Sequence, residues 1–422
     1  MKLLKIAISA AACISLTWAC ASRAALSGRE ISIYKTGTLK DVAALLKSGT
    51  DMAAKYGWTP LMVAAAGNSD EKVTELLLKS GAGVNEADRI GMTPLMAAAR
   101  YNTNEKVTEL LLKNGARVNE TDSDGMTPLM CAATGNSNEK VTEALLKKGA
   151  DVNRAGTPGI TPLMCAARYN ANEKVTALLL KKGARVNASD NAGMIALMYA
   201  AADNSNEKVM ELLLKKGAQA NEANSDGMTP LMCAARHNEN EKAVELLLKN
   251  DADAEAKDRY GWTPLMFAAG YNANEKVIEL LLEKGADMEA KSSNGGTPLL
   301  FAVLNNANEK VTELLLKSGA SVSAGMLVCA AGDNANEKVT ELLLKIGVDV
   351  NETDSDGKTP LMCAARYSGN EKIVSILLQQ GANPRAKDKD GRNALYYAKN
   401  NNKLSPAARG RVRDLIWNAM MN

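Results

Sequence analysis

Thr93-Pro94-Leu95-Met96-Ala97-Ala98-Ala99-Arg100-Tyr101-Asn102, a polar turn, Asn104-Glu105-Lys106-Val107, and then Leu110-Leu111-Leu112-Lys113-Asn114-Gly115-Ala116 is the stretch whose reading decides the fold. Leu95, Ala98 and Ala99 fall at i, i+3 and i+4, as do Val107, Leu110 and Leu111, which predicts two short amphipathic helices. Pro94 suits the first turn of the first helix, where its missing N–H would have had no partner anyway. The alanines let neighbouring helices approach closely. Asn104 is placed to cap the second helix, a contribution of about 0.5–2 kcal/mol over alanine. Gly115 is placed to end that helix in a left-handed conformation.

This stretch recurs. Leucines at 61, 95, 129, 163, 197, 231, 265 and 299 are 34 residues apart, the next equivalent, Leu327, follows after 28, and Leu361 and Leu395 return to the period of 34. A fixed period of this length means a solenoid, in which each repeat buries its apolar face against the next. The capping position is an Asx residue throughout: Asp70, Asn104, Asn138, Asn172, Asn206, Asn240, Asn274, Asn308, Asn336 and Asn370. Segments such as Val118-Asn119-Glu120-Thr121-Asp122-Ser123-Asp124-Gly125-Met126 join the repeats, and their turn-forming residues predict a tight hairpin or finger.

These residues resemble the ankyrin repeat, over about residues 27–420. The Thr-Pro-Leu-x-x-Ala-Ala core, the Leu-Leu-Leu-Lys-x-Gly-Ala close and the Asp-x-x-Gly finger carry the resemblance. It implies an all-α solenoid of about twelve helix-turn-helix units joined by β-hairpin-like fingers, with the first helices lining a concave face. At about 8–10 Å per helix step the stack would be roughly 100 Å long. The sequence departs from the family pattern in three ways. The usual histidine after Thr-Pro-Leu is methionine (Met62, Met96, Met130, Met164, Met198, Met232, Met266, Met362), which predicts apolar packing in place of a polar tie. The turn between helices is one residue longer than usual. The repeat around Gly325 to Leu327 lacks six finger residues, which a tolerated loop deletion explains most simply and which would leave a notch or a bend. The expected organisation is a signal peptide over 1–21, an N-terminal capping repeat over 27–57, the array over 58–392, and a C-terminal capping repeat over 393–422, both caps with polar outer faces.

Residues 1–21 carry the charged, apolar and small-residue zones of a secretory signal. Its apolar stretch, Ile6 to Trp18, is 13 residues long, shorter than the roughly 17 a spanning helix requires. Ala19 and Ala21 offer a cleavage site, Leu16-Thr17-Trp18-Ala19-Cys20 resembles a bacterial lipobox that would lipidate Cys20, and a retained anchor is the third alternative. The expected location is therefore exported: periplasmic, outer-membrane-tethered or secreted. The membrane enters only through a possible lipid on Cys20.

The 422 residues carry 51 Lys plus Arg against 48 Asp plus Glu, a balance that gives no reason to expect nucleic acid as partner. His237 is the only histidine, which excludes a multi-histidine metal site. No phosphate loop, nucleophile elbow or zinc spacing is present, so neither a cofactor nor an enzymatic activity is expected. Cys131, Cys165, Cys233, Cys329 and Cys363 share one column, so that even adjacent members such as Cys131 and Cys165 stand one helix spacing apart, too far for the roughly 7 Å a disulfide spans. They read as reduced core residues. Glu-Lys pairs after each capping residue read as a solvated turn whose glutamate is favoured by the helix dipole. Glu75 with Lys79, Glu143 with Lys147 and their counterparts read as i,i+4 pairs.

What varies between repeats is what packing has released. The two positions after Ala-Ala carry Arg100-Tyr101, Arg168-Tyr169, Arg236-His237, Gly270-Tyr271 and Arg366-Tyr367 among smaller pairs. By the resemblance these line the concave face that ankyrin proteins use on partners, and Arg and Tyr are rich in interface energy. The alternative is that tyrosine covers a neighbouring turn and arginine reaches finger carboxylates such as Asp122 and Asp124. Finger residues Trp58, Met92, Met126 and Trp262 are contacts if exposed and inter-finger packing if not. The expected function is a monomeric, non-enzymatic scaffold that binds a protein partner. An accessory protein that masks one enzyme, or an exported factor acting on host proteins, are the alternatives.

Overall fold

The structure is a computed structural model that describes residues 26–48, 57–237, 240–305, 308–323, 325–333 and 336–421. The signal segment 1–21, including Cys20, and part of the first capping repeat lie outside the described residues. Among those described there are 24 helices and no strand. They come in pairs: Gly28–Thr36 with Leu39–Lys47, Pro60–Gly67 with Glu71–Lys79, Pro94–Tyr101 with Glu105–Lys113, Pro128–Gly135 with Glu139–Lys147, Pro162–Tyr169 with Glu173–Lys181, Ala196–Asp203 with Glu207–Lys215, and so on to Ala394–Ala398 with Pro406–Met421. Contacts divide the chain into two bodies, one covering the described residues up to Asn191 together with Lys215–Ala218, the other Ala192–Leu214 with the chain from Gln219 onward. None of the described helices is long and apolar enough to cross a membrane.

Each helix begins and ends as the local chemistry dictates. Thr93 Oγ1 accepts the Met96 N–H at 3.3 Å, and Asn104 Oδ1 accepts the Lys106 N–H at 3.1 Å. Gly115 closes the second helix at φ +87°, and among the described residues only one non-glycine, Asp251 at φ +57°, takes this conformation. The methionine that stands in place of histidine is buried, yet it is not merely apolar filling. At Thr59, Thr161, Thr229 and Thr263 the backbone N–H donates to the sulfur of Met62, Met164, Met232 and Met266 at 3.4–3.5 Å, so a weaker polar tie survives. The core is a stripe of leucine, methionine and alanine from the first helices, packed against Val107, Leu111 and their equivalents from the second.

The fingers are turns, not strands. Asp122 donates its N–H to Met126 O at 3.1 Å, and Gly125 donates to Asp122 O at 3.0 Å. Consecutive fingers are joined by one backbone bond each, such as Thr157 N–H to Asp124 O at 2.8 Å, too few for a ladder. Contact there is tight: a Cβ on Gly125 would stand 2.9 Å from Gly156 Cα.

The Glu-Lys pairs tie repeats together instead of only being solvated. Lys140 Nζ lies 3.5 Å from Glu105, Lys174 lies 3.4 Å from Glu139, and Lys372 lies 3.2 Å from Glu337, each lysine reaching the glutamate of the preceding repeat. The i,i+4 pairs Glu75–Lys79, Glu143–Lys147, Glu245–Lys249 and Glu313–Lys317 form as well. The outer face of the last helix is only partly polar: Trp417 is 53% exposed beside Arg413 and Asp414.

Candidate functional site

The first helix of each repeat is short because Asn102 and its equivalents end it, and the pair of residues before that asparagine points away from the core. In the first body Tyr101 and Tyr169 are 43% and 45% exposed, while Arg100 and Arg168 are half-buried. Each guanidinium lies over its neighbouring ring, Arg100 at 5.6 Å from Tyr101 and Arg168 at 4.9 Å from Tyr169. Room for the arginine comes from the small residue in the next repeat. A Cβ on Gly135 would stand 3.2 Å from Arg100 Cγ. Among the described residues Arg100 makes no ion pair, so it does not reach the carboxylates of Asp122 and Asp124.

In the second body His237, Tyr271 and Tyr367 are exposed, and Arg236 spans into the next repeat, 4.9 Å from Tyr271 and 5.7 Å from Phe267. Here too a glycine, Gly270, occupies the arginine column of the neighbour. Arg366 lies over Tyr367 at 5.6 Å and also donates to the backbone carbonyl of Asn400, which makes it part of the framework of the last repeat.

The finger residues divide. Met92 is buried, at 7% exposure, and is withdrawn from the surface. Trp58 and Met126 are half-buried, with Trp58 6.2 Å from Tyr101. Trp262 is the centre of an aromatic cluster, 3.9 Å from Phe301, 5.1 Å from Phe267 and stacked on Tyr271 at 5.9 Å. Only two phenylalanines occur in the chain, and both are here. Nothing in the repeat pattern singled out this cluster, because Phe267 and Phe301 stand in the cysteine column, apart from the finger column that holds Trp262. The signal was their substitution in consecutive repeats behind a tryptophan.

The cysteines of the repeat column are held as thiols. Among the described residues five of the chain's seven cysteines occur, all unpaired, four buried and Cys329 half-buried. Burial pushes the thiols of Cys131 and Cys233 up to about 12 and that of Cys165 to about 11, leaving them protonated. Among the described residues no group of three or more His, Cys, Asp or Glu is placed to hold a metal ion.

A second row was missed altogether. Asn136 is 2% exposed, and its Nδ2 donates to Ala99 O at 2.9 Å and Asn102 O at 2.8 Å, both in the preceding repeat. Its Oδ1 accepts the Asn138 N–H at 2.9 Å. Asn102 and Asn170 repeat the arrangement in the first body, and Asn401 repeats the two cross-repeat bonds in the second. This row holds the bases of the first helices, so the exposed Arg-Tyr pairs stand on a fixed platform.

The family model described as ankyrin repeats (3 copies) matches residues 31–122, 101–190, 163–258, 240–325 and 326–405. A search of curated proteins finds no match.

Proposed function

We propose, from the premise that this chain belongs to the ankyrin repeat family, that it is a non-enzymatic scaffold which binds a protein partner through the exposed ends of its first helices. Ankyrin repeats are in general protein–protein interaction modules. The observation that carries the assignment here is the Arg-Tyr pair, repeated at Arg100-Tyr101 and Arg168-Tyr169, and again at Arg366-Tyr367 where the arginine also serves the framework, with rings 40–45% exposed. Rings and stacked guanidinia are preorganised, so little side-chain entropy remains to be lost when a partner arrives. Guanidinium groups repeated at one helix position favour an acidic, extended partner.

The test is charge reversal at Arg100, Arg168 and Arg236, read by crosslinking in the native compartment and by melting. An exposed cation–π contact contributes about 0.5–1 kcal/mol. The triple variant should therefore melt within a few degrees of the parent while losing at least tenfold in partner capture. Unchanged capture, or a collapse in melting temperature, would remove these residues from the binding surface. The same proposal takes residues 1–21 as an export signal, on their sequence alone. Intact mass of the mature chain distinguishes cleavage after Ala19 or Ala21 from lipid on Cys20.

A further inference from the structure

One repeat lacks its finger. From Ala320 the chain passes through Ser321, Val322 and Ser323 and enters the helix Met326–Asp333 six residues early. The helix is nonetheless capped, because Glu352 of the following repeat accepts the N–H groups of Gly325 at 3.1 Å and Leu327 at 2.8 Å. The shortened repeat thus keeps a capped helix, and what the deletion interrupts is the row of fingers.

In the second body that row runs by one backbone bond per step: Arg259 N–H to Asp226 O at 3.0 Å, Ser293 N–H to Tyr260 O at 2.9 Å, and, beyond the gap, Lys389 N–H to Asp356 O at 3.1 Å. By the same register the next acceptor after Tyr260 is Asn294 O, and the donor before Lys389 is Ser355 N–H. Among the described residues neither has a partner. A separate observation agrees. A Cβ on Gly227 or Gly261 would stand 2.9 Å from the next finger's backbone, whereas around Gly295 there is nothing within 4 Å.

The gap opens into a cleft of about 720 Å³. Half-buried Leu300 and Cys329 form its apolar wall, over the buried Met326 and Val328, and Asp333, Asp354 and Ser355 its polar one. Lys358, also at the cleft, is already 3.0 Å from Asp356, and Asp333 has no ion pair among the described residues. Burial first, then the charges of Asp333, Glu352 and Asp354, raise the thiol of Cys329 above its ordinary range, which agrees with an acidic wall.

We propose that this gap is a docking slot for a tight-turn loop of a partner protein, which supplies the missing finger. The loop's backbone C=O accepts from Ser355 N–H, and its N–H donates to Asn294 O. An apolar residue following its turn lies against Leu300 and Cys329, and a basic residue faces Asp333 and Asp354. Metal is a poor occupant, since no three ligating side chains converge there among the described residues. A backbone edge left unpaired is what recognition by chain addition uses.

The probe is a fluorescein-labelled cyclic peptide carrying Lys257-Asp258-Arg259-Tyr260-Gly261-Trp262-Thr263, the chain's own basic and aromatic finger, titrated against the full chain by fluorescence anisotropy. Two variants decide the outcome. Ser355→Pro removes only the unpaired N–H, at the second position of the Asp354–Gly357 turn where proline is favoured. Inserting Lys-Ser-Ser-Asn-Gly-Gly after Ala324 restores the finger and fills the slot. Saturable binding to the parent, weakened at least tenfold in each variant with melting unchanged, is expected. Asp333→Lys should weaken it as well. Absence of saturable binding to the parent, or equal affinity across the folded variants, would overturn the proposal. Where one variant fails to fold, the other decides. Charge reversal at Arg100 and Arg168, which lie in the other body, leaves this titration unchanged, so the slot and the Arg-Tyr surface stand or fall separately.

Discussion

Replacing Asn136 by alanine tests what holds one repeat to the next. The side chain makes three hydrogen bonds, two as donor to Ala99 O and Asn102 O and one as acceptor from Asn138 N–H, at 2.8–2.9 Å and 2% exposure. A neutral hydrogen bond contributes about 1 kcal/mol net, and a buried group left without a partner costs about 1–3 kcal/mol. Three bonds set a floor of about 3 kcal/mol. Because Asn138 at the rim of the turn is half-buried, water reaches part of the vacancy, and about 3–5 kcal/mol is the expected loss. The chain supplies its own control. Ser368 occupies this column in a later repeat, and its Oγ keeps the bond from Asn370 N–H at 3.0 Å, while serine is too short for the cross-repeat pair. Asn136→Ser should therefore recover roughly 1 kcal/mol of the loss. Urea unfolding followed by circular dichroism measures both variants against the parent. Exchange of the Asn138 amide proton reads the acceptor bond alone, fast in the alanine variant and protected in the serine one. A loss below about 1 kcal/mol for Asn136→Ala, or equal losses for the two variants, would refute the assignment of cohesion to this row.

Two further outcomes follow from the repeat interior and its edge. Thr108 is fully buried with an unpartnered hydroxyl, as are Thr74, Thr142, Thr176, Thr312 and Thr340, while other repeats place Met210, Val244, Ile278 or Val374 there. Thr108→Val exchanges that hydroxyl for a methyl group of equal size and should stabilise by about 1 kcal/mol in urea unfolding; destabilisation would show that the hydroxyl has a partner. The inter-repeat glutamates give a pH dependence. The Lys338 ammonium holds Glu309 down to about 2, and the backbone N–H of each residue itself, ahead of the neighbouring lysine, lowers Glu105 and Glu139 from the ordinary 4.5. These carboxylates are favoured in charged form by the fold, so their contribution is complete above about pH 4.5 and is lost as pH falls toward 2. Midpoints from melts between about pH 7 and 2.5 should fall through that window, less steeply at about 1 M salt, and a flat profile would contradict it.

The parts of the fold that were legible are those decided within one repeat. Leu95 and Ala98, Pro94 at the helix start, Asn104 at the cap and Gly115 at the close each act on residues within about one turn, and the structure puts them where spacing predicts. What escaped depends on the register between repeats. Asn136 carries its meaning 34 and 37 residues away, at Asn102 and Ala99, and Lys140 carries its meaning 35 residues away at Glu105. Periodicity makes such a column visible and is silent on which neighbour it touches. The same limit applied to the candidate surface. Arg100 and Arg366 share a column, yet one lies half-buried over Tyr101 and the other bonds the backbone of the last repeat.

The ties that hold one repeat to the next gather at the turns. The asparagine row, the capping Asn with its Glu-Lys neighbour, and the finger bonds all sit at turns, where backbone groups must find partners whatever the side chains do. Ties at three places per interface share the load, so the fold persists where Ser368 keeps only the Asn370 bond and where a whole finger is absent before Gly325, although each loss costs stability. The end of the first helix at Arg100-Tyr101 carries less of this duty, its guanidinium lying over its own neighbour's ring with no ion pair among the described residues. At the last repeat the redundancy runs out. Arg366 there takes over a carbonyl of Asn400, and its replacement has to cost stability where that of Arg100 does not.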